Sequence, residues 1–237
     1  MCFNYDSSTI AIRNKVTCFK PAQNIDINEL FFHEIAWYLY DGYKVLDIGT
    51  GNGFVLEELE RRNKGGGLEL YGIDNSSEMV ELASSRLGDK ADIIRGDINN
   101  LPFRDESFEV VTAKNVTRIN MNEVHRILKH NGVLVFREYG GGKGLCEVTK
   151  LFPGRVFRSH EPDYYKRKAE DAGLSVIRFK KYYFKRKYNS PEEIVAISRS
   201  FPLIRDFSEE DAKLIIETCR DATISSDPFI MVCKKEF

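Results

Sequence analysis

Asp47 stands two residues before the first of three alternating glycines, Gly49, Gly51 and Gly53, in the run VLDIGTGNGFV from Val45 to Val55. Glycines so spaced let a backbone turn sharply and approach a ligand closely, and the helix expected next offers free N–H groups. A dinucleotide enzyme uses this device on a pyrophosphate. Two residues argue for another ligand. The fingerprint G-x-G-x-x-G needs glycine at position 54, which is Phe54. Asp47, expected at the mouth of the loop, would repel a phosphate and suits a ligand carrying positive charge. Two more acids follow. Asp74 closes LELYGID roughly 20 residues past the glycines, where an acid accepts from ribose hydroxyls. Asp97, in IIRGDINNLPF, is placed to accept from an adenine amino group, with Met79 and Ile98 against the ring faces. Singly, each acid reads as a cap or turn residue. Three after successive strands, the first before Gly-x-Gly-x-Gly, point to a site for a nucleoside that bears a cation.

The elements that must position these residues are legible in the pattern. INELFFHEIAWYLY (residues 27–40) carries a helical apolar stripe. YKVLDIG is a short apolar run, as expected of a strand buried on both faces of a parallel sheet. FVLEELERRN reads as helix, GGGLELYGID as turn and strand, SSEMVELASSRLG as a capped helix, and ADIIRGD and SFEVVTAKN as strands. MNEVHRILKHNG reads as helix with an Asn-Gly stop, GVLVFREYG as strand, EPDYYKRKAEDAG as helix, and LSVIRFKKYYFKRKY as one long strand or strand extension. Two helices, SPEEIVAISRSF and SEEDAKLIIETCRDA, precede a last strand, FIMVCKKEF. Strands alternating with helices imply a doubly wound α/β sheet, with the glycine loop at the carboxyl edge of a central strand. The chain reads as one domain over residues 1–237, with an N-terminal segment, 1–26, expected to close over the ligand, and a helical insertion, 190–221, before the final strand. Tyr5, Arg13 or Lys15 are the residues of that segment expected near the ligand.

S-adenosylmethionine carries an ammonium and a sulfonium and no phosphate, so it fits the acids. VLDIGTGNG, YGIDNSSEMVELA, IIRGDINNLPFRDESFEVVTAKNV and EVHRILKHNGVLVF resemble, in order and spacing, the successive motifs of class I S-adenosylmethionine-dependent methyltransferases. The resemblance covers about Tyr43 to Tyr139 and is nearest to the small-molecule branch that includes ubiquinone and menaquinone biosynthesis enzymes. It implies a Rossmann-like, mostly parallel seven-stranded sheet whose last strand, FIMVCKKEF, is antiparallel. It also implies that Asp47 and the glycines Gly49, Gly51 and Gly53 hold the methionine part, Asp74 the ribose, and Asp97 with Ile98 the adenine. Thr50, Asn75, Met79, Lys114 and Asn115 complete the implied cofactor-binding set. Near TAKNVTRI the branch often has aromatic or histidine residues; here stand Lys114, Asn115 and Arg118.

Methyl transfer asks chiefly for in-line positioning, because the sulfonium is already activated, and for a base only when the acceptor must lose a proton. Candidates for that base are Glu138 and Tyr139 at the end of the fifth strand, and His160 at a loop-to-helix junction. The plain reading of Glu138 is a pairing with Arg137 or Lys143, and that of His160 a surface or capping residue. GGGKG (residues 140–144) lacks the G-x-x-x-x-G-K-[ST] pattern and reads as a flexible loop. RFKKYYFKRKY (residues 178–188) holds six basic residues, five aromatics and no acid. That mixture suits nucleic-acid binding or a sheet edge blunted by lysines, and we read it as the edge. A small-molecule acceptor therefore stands ahead of tRNA or rRNA, with a non-catalytic S-adenosylmethionine-binding protein as a third reading. The chain has 42% hydrophobic and 30% charged residues and a net charge of −1, so there is no global pull toward nucleic acid or membrane. Its five scattered cysteines form no C-x-x-C pair, so no metal site is expected and a reducing cytoplasm is the expected home.

Overall fold

The computed structural model describes residues 20–21, 26–63, 67–157, 160–200 and 203–236. Of the N-terminal segment that the sequence reading closes over the ligand, all but Lys20, Pro21 and Asp26 lies outside the described residues, Tyr5, Arg13 and Lys15 included. In chain order the elements are β1 (Lys20–Pro21), α1 (Ile27–Ala36), β2 (Lys44–Ile48), α2 (Phe54–Arg62), β3 (Glu69–Asp74), α3 (Ser77–Leu87), β4 (Asp92–Arg95), β5 (Phe108–Lys114), α4 (Met121–Ile127) and β6 (Leu128–Tyr139). There follow α5 (Cys146–Leu151), α6 (Pro162–Asp171), β7 (Leu174–Lys181), β8 (Phe184–Lys187), α7 (Pro191–Ser200), α8 (Glu209–Thr218), β9 (Thr223–Ser226) and β10 (Pro228–Lys235).

Seven strands make one sheet in the order β4-β3-β2-β5-β6-β10-β7. The ladders β2·β3, β2·β5, β3·β4 and β5·β6 are parallel, while β10 runs antiparallel to both β6 and β7. Alternate residues of each inner strand supply the two faces. Leu46, Val111, Leu134 and Phe136 pack with α4 and α6 on one face, and Val45, Val110, Val133 and Val135 pack with α1 and α2 on the other. This is why those strands read as continuous apolar runs. Local chemistry sets the helix starts: Asp26, Ser76 and Asn120 each accept a backbone N–H of the first turn that follows.

Three expectations change. The helix over residues 121–132 ends at Ile127, and β6 begins at Leu128 because that residue pairs with Phe108. The chain then turns at Asn131, with φ 64°, before rejoining the ladder at Val133. The basic aromatic run is two strands in two sheets. β7 is the edge of the main sheet, and Tyr182 then donates its N–H to the Pro228 carbonyl at 2.8 Å as the chain leaves that edge. β8 joins a second sheet of order β1-β8-β9, antiparallel throughout. Finally, residues 140–144 are not loosely held. Gly142 and Gly144 donate to the two carboxylate oxygens of Asp227 at 2.7 and 2.8 Å, and Gly140 donates to its carbonyl at 2.9 Å. α5, α7, α8 and β9 share a separate apolar cluster with Tyr188, built on Val148, Ile194, Leu203, Ile204 and Ile215.

Candidate cofactor and acceptor site

The glycine loop runs from the end of β2 to the start of α2. Gly49, Gly51 and Gly53 adopt φ of 67°, 55° and 79°, the left-handed region that side chains resist. Gly53 is also sterically required: a Cβ there would lie 2.9 Å from Leu87 and 3.2 Å from Ala83, so α2 and α3 could not pack as they do. Four of the loop's N–H groups are already engaged. Gly49 and Thr50 donate to the Ile73 carbonyl at 2.9 and 3.0 Å, Gly51 to Asp74 Oδ2 at 2.9 Å, and Gly53 to the Thr50 carbonyl at 3.0 Å. Those donors are not left over to cradle a phosphate.

Asp47 lies beneath this loop, not at its mouth, and is 1% exposed, because its strand is central and its ladder partners are Gly72 and Thr112. Thr112 Oγ1 donates to its Oδ1 at 2.7 Å, while Asp47 Oδ2 and Thr50 Oγ1 are buried without a hydrogen-bond partner. Burial raises the Asp47 carboxyl to about 7. The nearby hydroxyls of Thr112 and Thr50 and the Lys114 ammonium work the other way, and Asp74 adds repulsion. An orphaned buried carboxylate oxygen matches a ligand that brings a cationic donor, so these residues fit S-adenosylmethionine.

Asp74 ends β3 and ties two loops together, accepting from Gly51 on Oδ2 and from Ser76 on Oδ1 at 3.0 Å. Asn75 is exposed, and its carbonyl accepts from Arg95 Nε at 3.2 Å. Met79 is buried on α3, and Ile98 packs half-buried against the large core cluster. Asp97 is exposed and accepts from both nitrogens of Asn99 at 2.9 Å, a turn of its own making. Lys114 Nζ sits 4.7 Å from the centroid of Phe54, the residue that replaces the third glycine of a dinucleotide fingerprint. The three acids thus share one sheet edge, with Asp47 buried, Asp74 bridging and Asp97 outermost.

Residues 46–136 match the family model described as a methyltransferase domain. The match takes in the glycine loop and the strands β3, β4 and β5 that follow it. The chain is 41% identical over 120 residues to the demethylmenaquinone methyltransferase of Thermotoga maritima, covering 48% of this chain and 49% of that protein. It is 33% identical over 109 residues to a ubiquinone/menaquinone biosynthesis C-methyltransferase of Geotalea daltonii, covering 40% of this chain and 45% of that protein. The matches thus span about half the length of these curated relatives. In fold the chain is similar to the YcgJ protein of Bacillus subtilis (TM-score 0.64, 18% identity, 89% of this chain and 99% of that one). It is also similar to the [4+2]-cyclase SpnF (TM-score 0.66, 18% identity, 96% and 92%).

Next to the glycine loop, the ends of β5 and β6 bring together residues the sequence reading separated. Asn115, at φ 61°, accepts on Oδ1 from Arg137 Nη1 at 3.0 Å. Glu138 is 5% exposed and accepts from the Tyr139 N–H at 2.8 Å and more weakly from Thr117 Oγ1 at 3.4 Å. Burial raises its pKa against the pull of that N–H and of Lys143 and Arg137. Its hydrogen bonds go to these groups and not to Arg137 or Lys143, the partners expected of it. Tyr139 Oη accepts from Arg137 Nη2 at 2.9 Å and from Arg186 Nη2 at 3.1 Å. His160 is stacked on Tyr164 at 3.8 Å between ring centroids and lies edge-on to Tyr165 at 6.0 Å. Sequence reasoning missed Arg137, Arg186 and Asp227. Arg186 carried a usable signal, the alternation FKRK, whose second and fourth residues are exposed and whose first and third are buried. For Asp227 there was none, since the loop it holds lies 83 residues away.

Proposed function

We propose that the chain is an enzyme that transfers the methyl group of S-adenosylmethionine to a small-molecule acceptor by in-line displacement. The observation that carries this reading is the polarity of the glycine loop: the N–H groups of Gly49, Thr50, Gly51 and Gly53 are satisfied internally, and beneath the loop a buried carboxylate keeps one oxygen without a hydrogen-bond donor. A ligand there meets acceptors, which suits an ammonium and a sulfonium and is hostile to a pyrophosphate. On this reading Asp47 and the loop face the methionine part, Asp74 and Asn75 the ribose, and Asp97, Ile98 and Met79 the adenine. Lys114 and Asn115 border the methyl. When bound, the sulfonium supplies an activated methyl; the chain's residues orient it and exclude water.

The curated relatives named above are methyltransferases of menaquinone and ubiquinone biosynthesis by name, which supports a small molecule as acceptor. The cyclase with the same fold bears its own activity, so the fold alone does not establish methyl transfer. The basic strands speak against the nucleic-acid reading. Lys181 is paired with Asp163 and Arg178 with Glu34, and Arg186 is turned inward, so the run does not present a continuous basic stripe to solvent. Among the described residues no helix is long and apolar enough to cross a membrane, and the reading places the enzyme in the cytoplasm.

The test is calorimetry followed by turnover. S-adenosylhomocysteine should bind while NAD does not, and methyl-labelled S-adenosylmethionine should label the small-molecule fraction of a cell extract. NAD binding at comparable affinity would refute the cofactor assignment. Label entering RNA instead would refute the acceptor class.

A further inference from the structure

The carboxyl end of β6 carries a constellation that the cofactor loops do not use. Two guanidiniums, Arg137 at 2% exposure and Arg186 at 7%, converge on one phenol oxygen. They arrive from different sheets, Arg137 from β6 and Arg186 from β8. Both also lie beside the Tyr139 ring, at 4.9 and 5.5 Å from its centroid. Arg137 makes no hydrogen bond to a carboxylate among the described residues, its charge acting on Glu138 only at a distance, and its Nε is buried without a hydrogen-bond partner. Buried guanidiniums stabilise an anion placed against them, and the phenol oxygen is the group that accepts from both.

We propose that Tyr139, gripped by Arg137 and Arg186, takes a proton from the methyl acceptor, so that the acceptor is a weak acid such as a phenol or an enol. The inference rests on the methyl-transfer reading above. Position supports it. Arg137 is the ladder partner of Lys114 and binds Asn115, and the next residue, Val116, lies directly against Gly49. Tyr139 is thus two residues further out on a strand close to the cofactor loop, and it is only partly buried. Burial opposes ionisation of its hydroxyl, but the charges and hydrogen bonds of Arg137 and Arg186 outweigh burial and bring it to about 7. A base of that strength suits a proton donor only slightly weaker.

The neighbouring charged groups have other roles. Tyr188 interacts with Arg186 as well. Asp227 is held by Gly142 and Gly144, and Gly144 lies against the Tyr139 ring. Glu138, one residue back along the strand, alternates to the opposite face, and Lys143 lies in the loop beyond, under the influence of Glu138 and Asp227.

In the proposed step the acceptor X–H gives its proton to Tyr139 Oη, and the electron pair left on the acceptor attacks the methyl carbon. The C–S bond breaks with its pair staying on sulfur, and X–CH3 forms. Negative charge moves from Tyr139 to the acceptor within reach of the same two guanidiniums, then disappears as the sulfonium is neutralised. Tyr139 afterwards returns its proton to water.

The test combines near-ultraviolet tyrosinate titration with turnover, using labelled S-adenosylmethionine and a fractionated cell extract. One tyrosinate should form around neutral pH in the wild type, be absent in Tyr139→Phe, and form at higher pH in Arg186→Gln. Tyr139→Phe should lower label transfer at least about 100-fold, with S-adenosylhomocysteine affinity changed less than about twofold. The rate profile of Arg186→Gln should move to higher pH with the titration, a shift that a merely structural role would not produce. Absence of a neutral-pH tyrosinate, or full turnover by Tyr139→Phe, overturns the proposal. Failure of the wild type to bind S-adenosylhomocysteine at all would instead overturn the cofactor reading beneath it.

Discussion

Replacing Asp47 by asparagine should stabilise the unliganded protein while weakening its grip on the ligand. The folded structure raises this carboxyl from 3.8 to about 7, with burial the largest cause. That rise corresponds to roughly 4 kcal/mol, at ~1.4 kcal/mol for each tenfold change in proton affinity. The sign follows from proton binding. Below the unfolded value both states are protonated and nothing is lost. As pH rises toward about 7 the unfolded chain ionises while the folded one resists, so wild-type stability falls, and the loss is complete above about 7. The introduced amide would still accept from Thr112 through its oxygen, and its NH2 group would face the buried, unpartnered Thr50 Oγ1. Urea unfolding at about pH 4 and about pH 8 should therefore show Asp47→Asn gaining about 2–4 kcal/mol over wild type at the higher pH and far less at the lower. Calorimetry should show the opposite trend for S-adenosylhomocysteine, with affinity reduced at least about tenfold, the scale of a charge-assisted hydrogen bond. Wild-type affinity should rise with pH toward about 7 as the carboxylate forms, and the variant should be flat. An Asp47→Asn protein no more stable than wild type at about pH 8 would refute the picture of a strained carboxylate under the loop.

Asp74→Ala should weaken S-adenosylhomocysteine binding by about 1–3 kcal/mol, since Gly51 loses its acceptor and, on the proposed reading, the ribose hydroxyls lose theirs; an unchanged dissociation constant would make Asp74 a turn residue only. Asp227→Ala leaves the N–H groups of Gly142 and Gly144 without their carboxylate and should cost about 2–4 kcal/mol in urea unfolding. Amide exchange should speed up most over residues 140–145, and uniform exchange across the chain would show that the loop does not depend on Asp227.

Much of the sheet was legible because its determinants are local. A strand buried on both faces must be apolar throughout, as VLDI and EVVTA nearly are, and helix starts at Ser76 and Asn120 are set by side chains a few residues from the N–H groups they satisfy. The glycines of the loop announced themselves for the same reason: left-handed φ is a property of single residues. The depth of Asp47 was not legible. An acid before a glycine loop looks exposed in sequence, and only its place between β3 and β5 buries it. Nor could the sequence show where the basic run would go. Whether Arg186 faces water or Tyr139 depends on β8 leaving the main sheet to pair with β9, a contact between residues about 40 apart along the chain. Pattern and propensity act over a turn or a strand. The Arg137–Tyr139–Arg186 group and the Asp227 clasp join segments 47 to 85 residues apart, and only the packing of the whole chain brings them within hydrogen-bond distance.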